Sequence, residues 1–344
     1  MKKIIFFFLF IFSTVNFAQQ SDFKNISFGK ADRIAKKTKT KRLYKLNELT
    51  FNLTKDLETD VEKVRAIYVW ICNNIANDFK LYSTNERKRK RFVKDSIKLQ
   101  NWNSKFKKIL FKKLLKKKRT ICTGYAYLFK EMCTIAGIES RMVNGFGRTS
   151  SVDLSTLNMP NHTWNVVKLN NKWYLCDPTW STGISFPEEG RFKFDYNDGY
   201  FLADPKMFIQ NHFPLEKKYS LLKEETPSVL EYSELPLFYN DAFTVLKENI
   251  FPKKMHHTLT QNDSFVFKYL LKKEIDLKRI KFVIYSGVNE RSFKPKASLK
   301  DSLLTLKHTF KRKGFYDFHL YIEDKLIATY VFKIVKHEKE KSKL

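Results

Sequence analysis

Two adjacent asparagines, Asn170 and Asn171, separate two runs rich in β-prone residues, Thr163–Leu169 and Lys172–Asp177. Asn tolerates the positive φ that a two-residue hairpin turn needs. A turn of that length sets the register: Leu169 faces Lys172 and, counting back, Trp164 faces Asp177. His162 is two residues from Trp164, so His162 and Asp177 share one face as diagonal cross-strand neighbours. Such neighbours stand roughly 7–8 Å apart at Cα, within side-chain reach. A slip of one residue would put them on opposite faces. The spacing therefore predicts a carboxylate that steers an imidazole and leaves its second ring nitrogen for a partner.

Cys122 is the candidate partner. It opens a predicted helix running to about Ala136, just after Lys116-Lys117-Lys118-Arg119. A helix N-terminus carries partial positive charge and free N–H groups, and nearby cations add to that field. Both effects favour the thiolate, which is the nucleophile. Thr123 and Gly124 let the backbone turn closely around the sulfur. The other cysteines read differently: Cys72 and Cys133 fall on apolar helix faces, and Cys176 has the opposite strand parity from Asp177. None of the four forms a CxxC pair and no HExxH occurs. The pair His256-His257 fits no zinc spacing, so neither metal nor cofactor is expected.

The order Cys122-Thr123-Gly124-Tyr125-Ala126, then His162-Thr163-Trp164-Asn165, then Trp173-Tyr174-Leu175-Cys176-Asp177-Pro178-Thr179-Trp180 resembles the transglutaminase-like superfamily, in particular its bacterial and kyphoscoliosis-peptidase-like members. Thr59–Asp78 resembles the helix before that family's core. Tyr200-Phe201-Leu202 with His212-Phe213-Pro214 resembles the end of its domain. The resemblance covers about residues 45–225 and implies a papain-like α+β core with a Cys122–His162–Asp177 triad. A side chain N-terminal to the cysteine often helps hold the oxyanion in this superfamily, and Gln100 and Trp102 are the candidates. Trp164, with Trp173 and Trp180, is expected to pack around the site. The chain departs from the family at Thr120, where Gly is usual, and at Asn77, where Tyr is usual.

Elsewhere the pattern divides the chain. Residues 19–57 read as a helical lead-in. Thr59 and Glu62 form a capping-box signal before Val64, Ile67, Tyr68, Ile71, Cys72 and Ile75, which fall on one helix face. After about residue 225, short β-rich runs recur at Ser264–Leu270, Ile280–Tyr285, Tyr316–Ile322 and Ile327–Val335. We therefore expect a transglutaminase-like domain over 19–225, then a β-sandwich over 226–344 ending in a frayed charged tail.

Two further features bear on location and partners. Lys2 and Lys3 precede an unbroken apolar run, Ile4–Phe12, with Ala18 as a cleavage site. This reads as an export signal over 1–18, too short to span a bilayer, and predicts a periplasmic or secreted protein. No later stretch approaches membrane-spanning length. The formal charge of the 344 residues is +29. From Glu86 to Arg119 sixteen Lys or Arg stand against two acids, a net of +14. Such a surface attracts anionic polymers or acidic proteins, and export argues against nucleic acid. Within it Lys105–Lys118 is an amphipathic helix whose apolar stripe is expected to pack on its own domain. The expected chemistry is acyl transfer at an amide, as peptide hydrolysis or glutamine transamidation or deamidation. The alternative is a non-catalytic transglutaminase-like scaffold whose basic face or β-sandwich binds anionic surface polymers or proteins.

Overall fold

The structure is a computed structural model that describes residues 19–39, 43–150, 159–186, 188–286 and 289–336. The expected leader, 1–18, and the last residues of the charged tail, 337–344, lie outside the described residues.

Among the described residues six helices build the N-terminal half: α1 Gly29–Lys37, α2 Leu46–Thr54, α3 Asp60–Asn74, α4 Phe79–Phe92, α5 Ser96–Lys117 and α6 Cys122–Ile135. The capping box forms as the sequence predicts: the Thr59 side chain accepts from Glu62 N, and Glu62 reaches back to Thr59 N at 3.0 Å. Helix α3 is buried on more than the one face its periodicity marks, because α1, α2 and α6 surround it. A helix walled in on all sides must be apolar around most of its girth. Its exception, Arg65, is only 6% exposed. Asp32 (Nε–Oδ1 2.7 Å) and Asp198 neutralise it, and the Phe28 and Phe201 rings cover its guanidinium.

Against α6 lies a five-stranded antiparallel sheet: β1 Ser140–Gly147, β2 His162–Leu169, β3 Lys172–Cys176, β4 Phe201–Ala203 and β5 His212–Pro214, in the order β4-β3-β2-β1-β5. The turn between β2 and β3 has φ 47° at Asn170 and 61° at Asn171. Leu169 pairs with Lys172, and the ladder continues to Asn165 opposite Cys176, as the turn chemistry predicts. Helix α5 is longer than the expected 105–118. Its stripe packs inward through Phe106, Leu110 and Leu114, while Ile109 faces outward.

Ten strands follow: β6 Leu237–Phe238, β7 Leu246–Phe251, β8 His256–Thr260, β9 Ser264–Leu271, β10 Ile280–Ser286, β11 Asn289–Phe293, β12 Lys296–Lys300, β13 Leu303–Thr309, β14 Gly314–Ile322 and β15 Lys325–Val335. They form a six-stranded sheet ordered β6-β15-β14-β10-β11, with β8 also on β15, and a four-stranded sheet ordered β7-β9-β13-β12. The sheets face each other through aromatic rings, with Phe267 of β9 stacked 5.3 Å from Phe318 of β14. The fold is α+β, with a helix-and-sheet core and a strand-rich C-terminal part. One apolar cluster runs from Trp164 and Tyr200 through Phe243 into this sandwich. Tyr200 and Phe243 stack at 4.4 Å. Among the described residues no helix is long and apolar enough to cross a membrane.

Candidate active site

Each candidate residue sits at the end of an element. Cys122 is the first residue of α6, after Ile121 in extended conformation (φ −117°, ψ −179°). His162 opens β2, and Asp177 follows β3 directly. The hairpin register puts His162 Nε2 2.6 Å from Asp177 Oδ2. Cys122 and His162 line the same two cavities, and the ring lies near enough to favour the thiolate. The structure thus brings Cys122, His162 and Asp177 together.

The electrostatics follow from burial opposed by neighbours. Burial disfavours the Cys122 thiolate, but the hydrogen bond and charge of His162, with the Thr123 N–H, outweigh it and hold the thiol below its ordinary 9.0. Burial also disfavours the His162 imidazolium. The charge and hydrogen bond of Asp177, then Cys122, push its pKa up to about 10. Asp177 is fully buried, yet both histidines and two backbone N–H groups hold its carboxyl well below the usual carboxylate range. The other three cysteines are also free, and burial pushes each of those thiols up. They match the small apolar core residues that helix face and strand parity predict.

A second histidine, which the sequence pattern did not single out, belongs to the site. His212 Nε2 lies 2.9 Å from the same Asp177 Oδ2, and its Nδ1 lies 2.6 Å from Asn211 Oδ1. Burial lowers its pKa to about 4 against the opposing pull of Asp177, and the single N–H of a neutral ring serves one of these two oxygens. The faces of Phe208 and Trp180 cover it, at 3.9 and 4.4 Å. Its only sequence signal was the His212-Phe213-Pro214 motif, which marks a domain end in the resembling family. What brings it here is β5 pairing with β1, His212 opposite Gly147, a contact that local periodicity cannot reveal. A Cβ on Gly147 would lie 2.9 Å from the His162 Cβ, so that glycine gives the catalytic ring its room. The ligand atoms of His162, Asp177 and His212 all lie within 4.8 Å of one another. Both Nε2 atoms converge on one carboxylate oxygen at hydrogen-bond distance, so Asp177 sits between two imidazoles.

The supporting residues need correction. Gln100 is exposed on α5 and lines neither cavity at the sulfur. Trp102 donates its Nε1–H to Asn85 at 3.0 Å, so that donor is spent away from the sulfur. A 22-residue α5 carries both around its outer turns, which a shorter helix beginning at Lys105 did not anticipate. Gly124 serves a different contact from the expected one: its Cβ position lies 1.8 Å from Thr120 Oγ1, so it makes room for Thr120 and not for the sulfur. Thr123 does lie beside the sulfur, through its backbone N–H. Trp164 is fully buried and packs on the His162 ring at 5.9 Å, and Trp180 packs there at 5.2 Å. Trp173 instead lies under the Arg141 guanidinium.

Two cavities, of about 870 and 580 Å³, meet at Cys122. Tyr82, Ile121, Cys122, Asn161 and His162 line both. Asn161 is committed to Gly147 through both ends of its amide. Tyr82 of α4 also lines both: burial, then Glu86 and Cys122, push its phenol up to about 12. Helices α4 and α5 wall the larger cavity with Arg89, Lys90 and Lys107. Arg89 also donates to Pro160 O at 3.0 Å, two residues before His162.

Residues 47–178 match the family model described as the transglutaminase-like superfamily. Kyphoscoliosis peptidase of Mus musculus and of Homo sapiens are each 34% identical over 202 residues, 58% of this chain and 27% of theirs. Hillarin of Drosophila melanogaster is 24% identical over 224 residues, 61% of this chain and 25% of its own. The chain thus spans about a quarter of the length of these relatives. Residues 47–178 of this chain belong to the transglutaminase-like superfamily.

Proposed function

We propose that the chain is an exported cysteine enzyme that performs acyl transfer at an amide of a protein or peptide, with Cys122 as nucleophile. The observation that carries this reading is the His162 ring, hydrogen-bonded to Asp177 and lining, together with Cys122, the place where two cavities meet. The Cys122 sulfur attacks the carbonyl carbon. The Cys122 N–H, at the positive end of α6, and the Tyr82 hydroxyl are the proposed donors to the oxyanion. His162 gives its proton to the departing amine, or to ammonia from a glutamine side chain. The C–N bond breaks and a thioester remains on Cys122. Water then yields hydrolysis and a lysine amine yields a crosslink. The name peptidase on two relatives favours hydrolysis. Asp177 stabilises the imidazolium, and His212 is a positioning residue that fixes the carboxylate. The basic wall of α4 and α5 favours a substrate with acidic residues beside the reacting one.

Iodoacetamide labelling followed by intact-mass analysis tests the nucleophile. Cys122 takes the label at neutral pH, and Cys122→Ala abolishes it. Absence of labelling at Cys122, or labelling indifferent to His162→Ala, refutes the reading. Glutamine peptides with an added amine then separate cleavage, ammonia release and crosslinking. The export proposal rests on the 1–18 leader pattern, and a mature N-terminus at Gln19 is its expected signature.

A further inference from the structure

The C-terminal sandwich holds a second cavity system, remote in sequence from the cysteine, of about 850 Å³. Seven cations line it: Arg291, Lys294, Lys296, Lys307, Lys311, Arg312 and Lys313. No carboxylate lines it, and none of the seven has a carboxylate in its ion-pair range among the described residues. The nearby Asp263 is spent capping Thr260 N at 2.8 Å. Lys296 and Lys307 are register partners, directly opposite each other on β12 and β13. Like charges so placed destabilise a sheet. Lysines on edge strands commonly guard against aggregation. That role does not call for seven cations around one cavity or for two facing each other across a ladder.

The cavity lies where both sheets end. Among the described residues β11 is the edge of the six-stranded sheet and β12 the edge of the four-stranded one, and Phe293–Lys296 links them. Edge strands offer unpaired N–H and C=O groups that can take an added strand. An extended polypeptide can pair with such groups; a glycan or a nucleic acid cannot do so in register. We infer that this basic edge docks an acidic, extended polypeptide segment, whose carboxylates neutralise the Lys296–Lys307 cluster. The inference is independent of the chemistry at Cys122.

The test uses the Cys122→Ala protein and a fluorescein-labelled peptide of alternating Glu and Thr, read by anisotropy. Lys296→Glu and Lys307→Glu each weaken binding by about tenfold or more, while melting temperature holds or rises because a like-charge pair becomes an opposite one. Lys112→Glu, on exposed α5, leaves binding unchanged. Unchanged binding in both sandwich variants overturns the inference. So does a heparin oligosaccharide or single-stranded oligonucleotide of equal charge that binds this cluster more tightly than the peptide. A loss confined to Lys112→Glu moves the site to the other basic surface and also overturns it.

Discussion

Thr120 fills the space that a Cβ on Gly124 would need, one turn into the helix that carries the nucleophile. Gly124→Ala is therefore expected to cost about 1–3 kcal/mol by overpacking. Thr120→Gly, which restores the family's usual residue, should recover most of that loss in a double-mutant cycle read by thermal unfolding. Additive losses would show that the two residues do not share the space. The two histidines on Asp177 titrate with opposite signs. His212 has its folded pKa lowered to about 4 from 6.5, so the unfolded chain binds its proton first and stability is lost as pH falls through that window. His162 has its folded pKa raised to about 10, so its contribution is full below 6.5 and is lost as pH rises through about 10. His212→Gln should flatten the acid limb of a stability–pH curve and leave the alkaline limb in place. An unchanged acid limb would mean that His212 is not the buried neutral group described. At this scale Cys122, His162 and Asp177 were legible because turn chemistry, strand parity and helix position are local properties. His212 and Tyr82 were not, because each reaches the sulfur region by long-range packing.

The hairpin between β2 and β3 converts an Asn-Asn turn into the His162–Asp177 contact. Gly favours the second position of such a turn, where Asn171 has φ 61°. Asn171→Gly should raise stability by a few tenths to about 1 kcal/mol and leave Cys122 labelling unchanged. Insertion of one residue at the same turn should abolish rapid labelling, because it moves His162 to the opposite face. Labelling that survives the insertion would show that register does not place the ring. Helix α3 shows where local reading stops. Its apolar stripe predicted one buried face, but the surrounding helices bury most of it, including Arg65, which reaches the partly exposed Asp32 and Asp198. Arg65→Ala is expected to cost about 1–3 kcal/mol, since it removes the cation from both acids and empties the space under the Phe28 and Phe201 rings.

Across the whole molecule, a shared apolar cluster ties the catalytic sheet to the sandwich through Trp164, Tyr200 and Phe243. Calorimetry should therefore show one cooperative unfolding transition, and two well-separated transitions would contradict a continuous core. The α+β class, with strands gathered toward the C-terminus, was legible in the switch from helical to strand periodicity after about residue 225. Strands β11 and β12 were not, because β11 (Asn289-Glu290-Arg291-Ser292-Phe293) has a single apolar residue and β12 is bounded by Lys296 and Lys300. Arg291 and Lys296 also line the basic cavity.

His162 is what lowers the Cys122 thiol below its ordinary 9.0. Ultraviolet titration of thiolate absorbance, as a difference between the protein and its Cys122→Ala variant, tests this. One thiolate with a midpoint below 9.0, moving upward in His162→Ala, is expected. A midpoint at or above 9.0, or one that His162→Ala leaves in place, would contradict it.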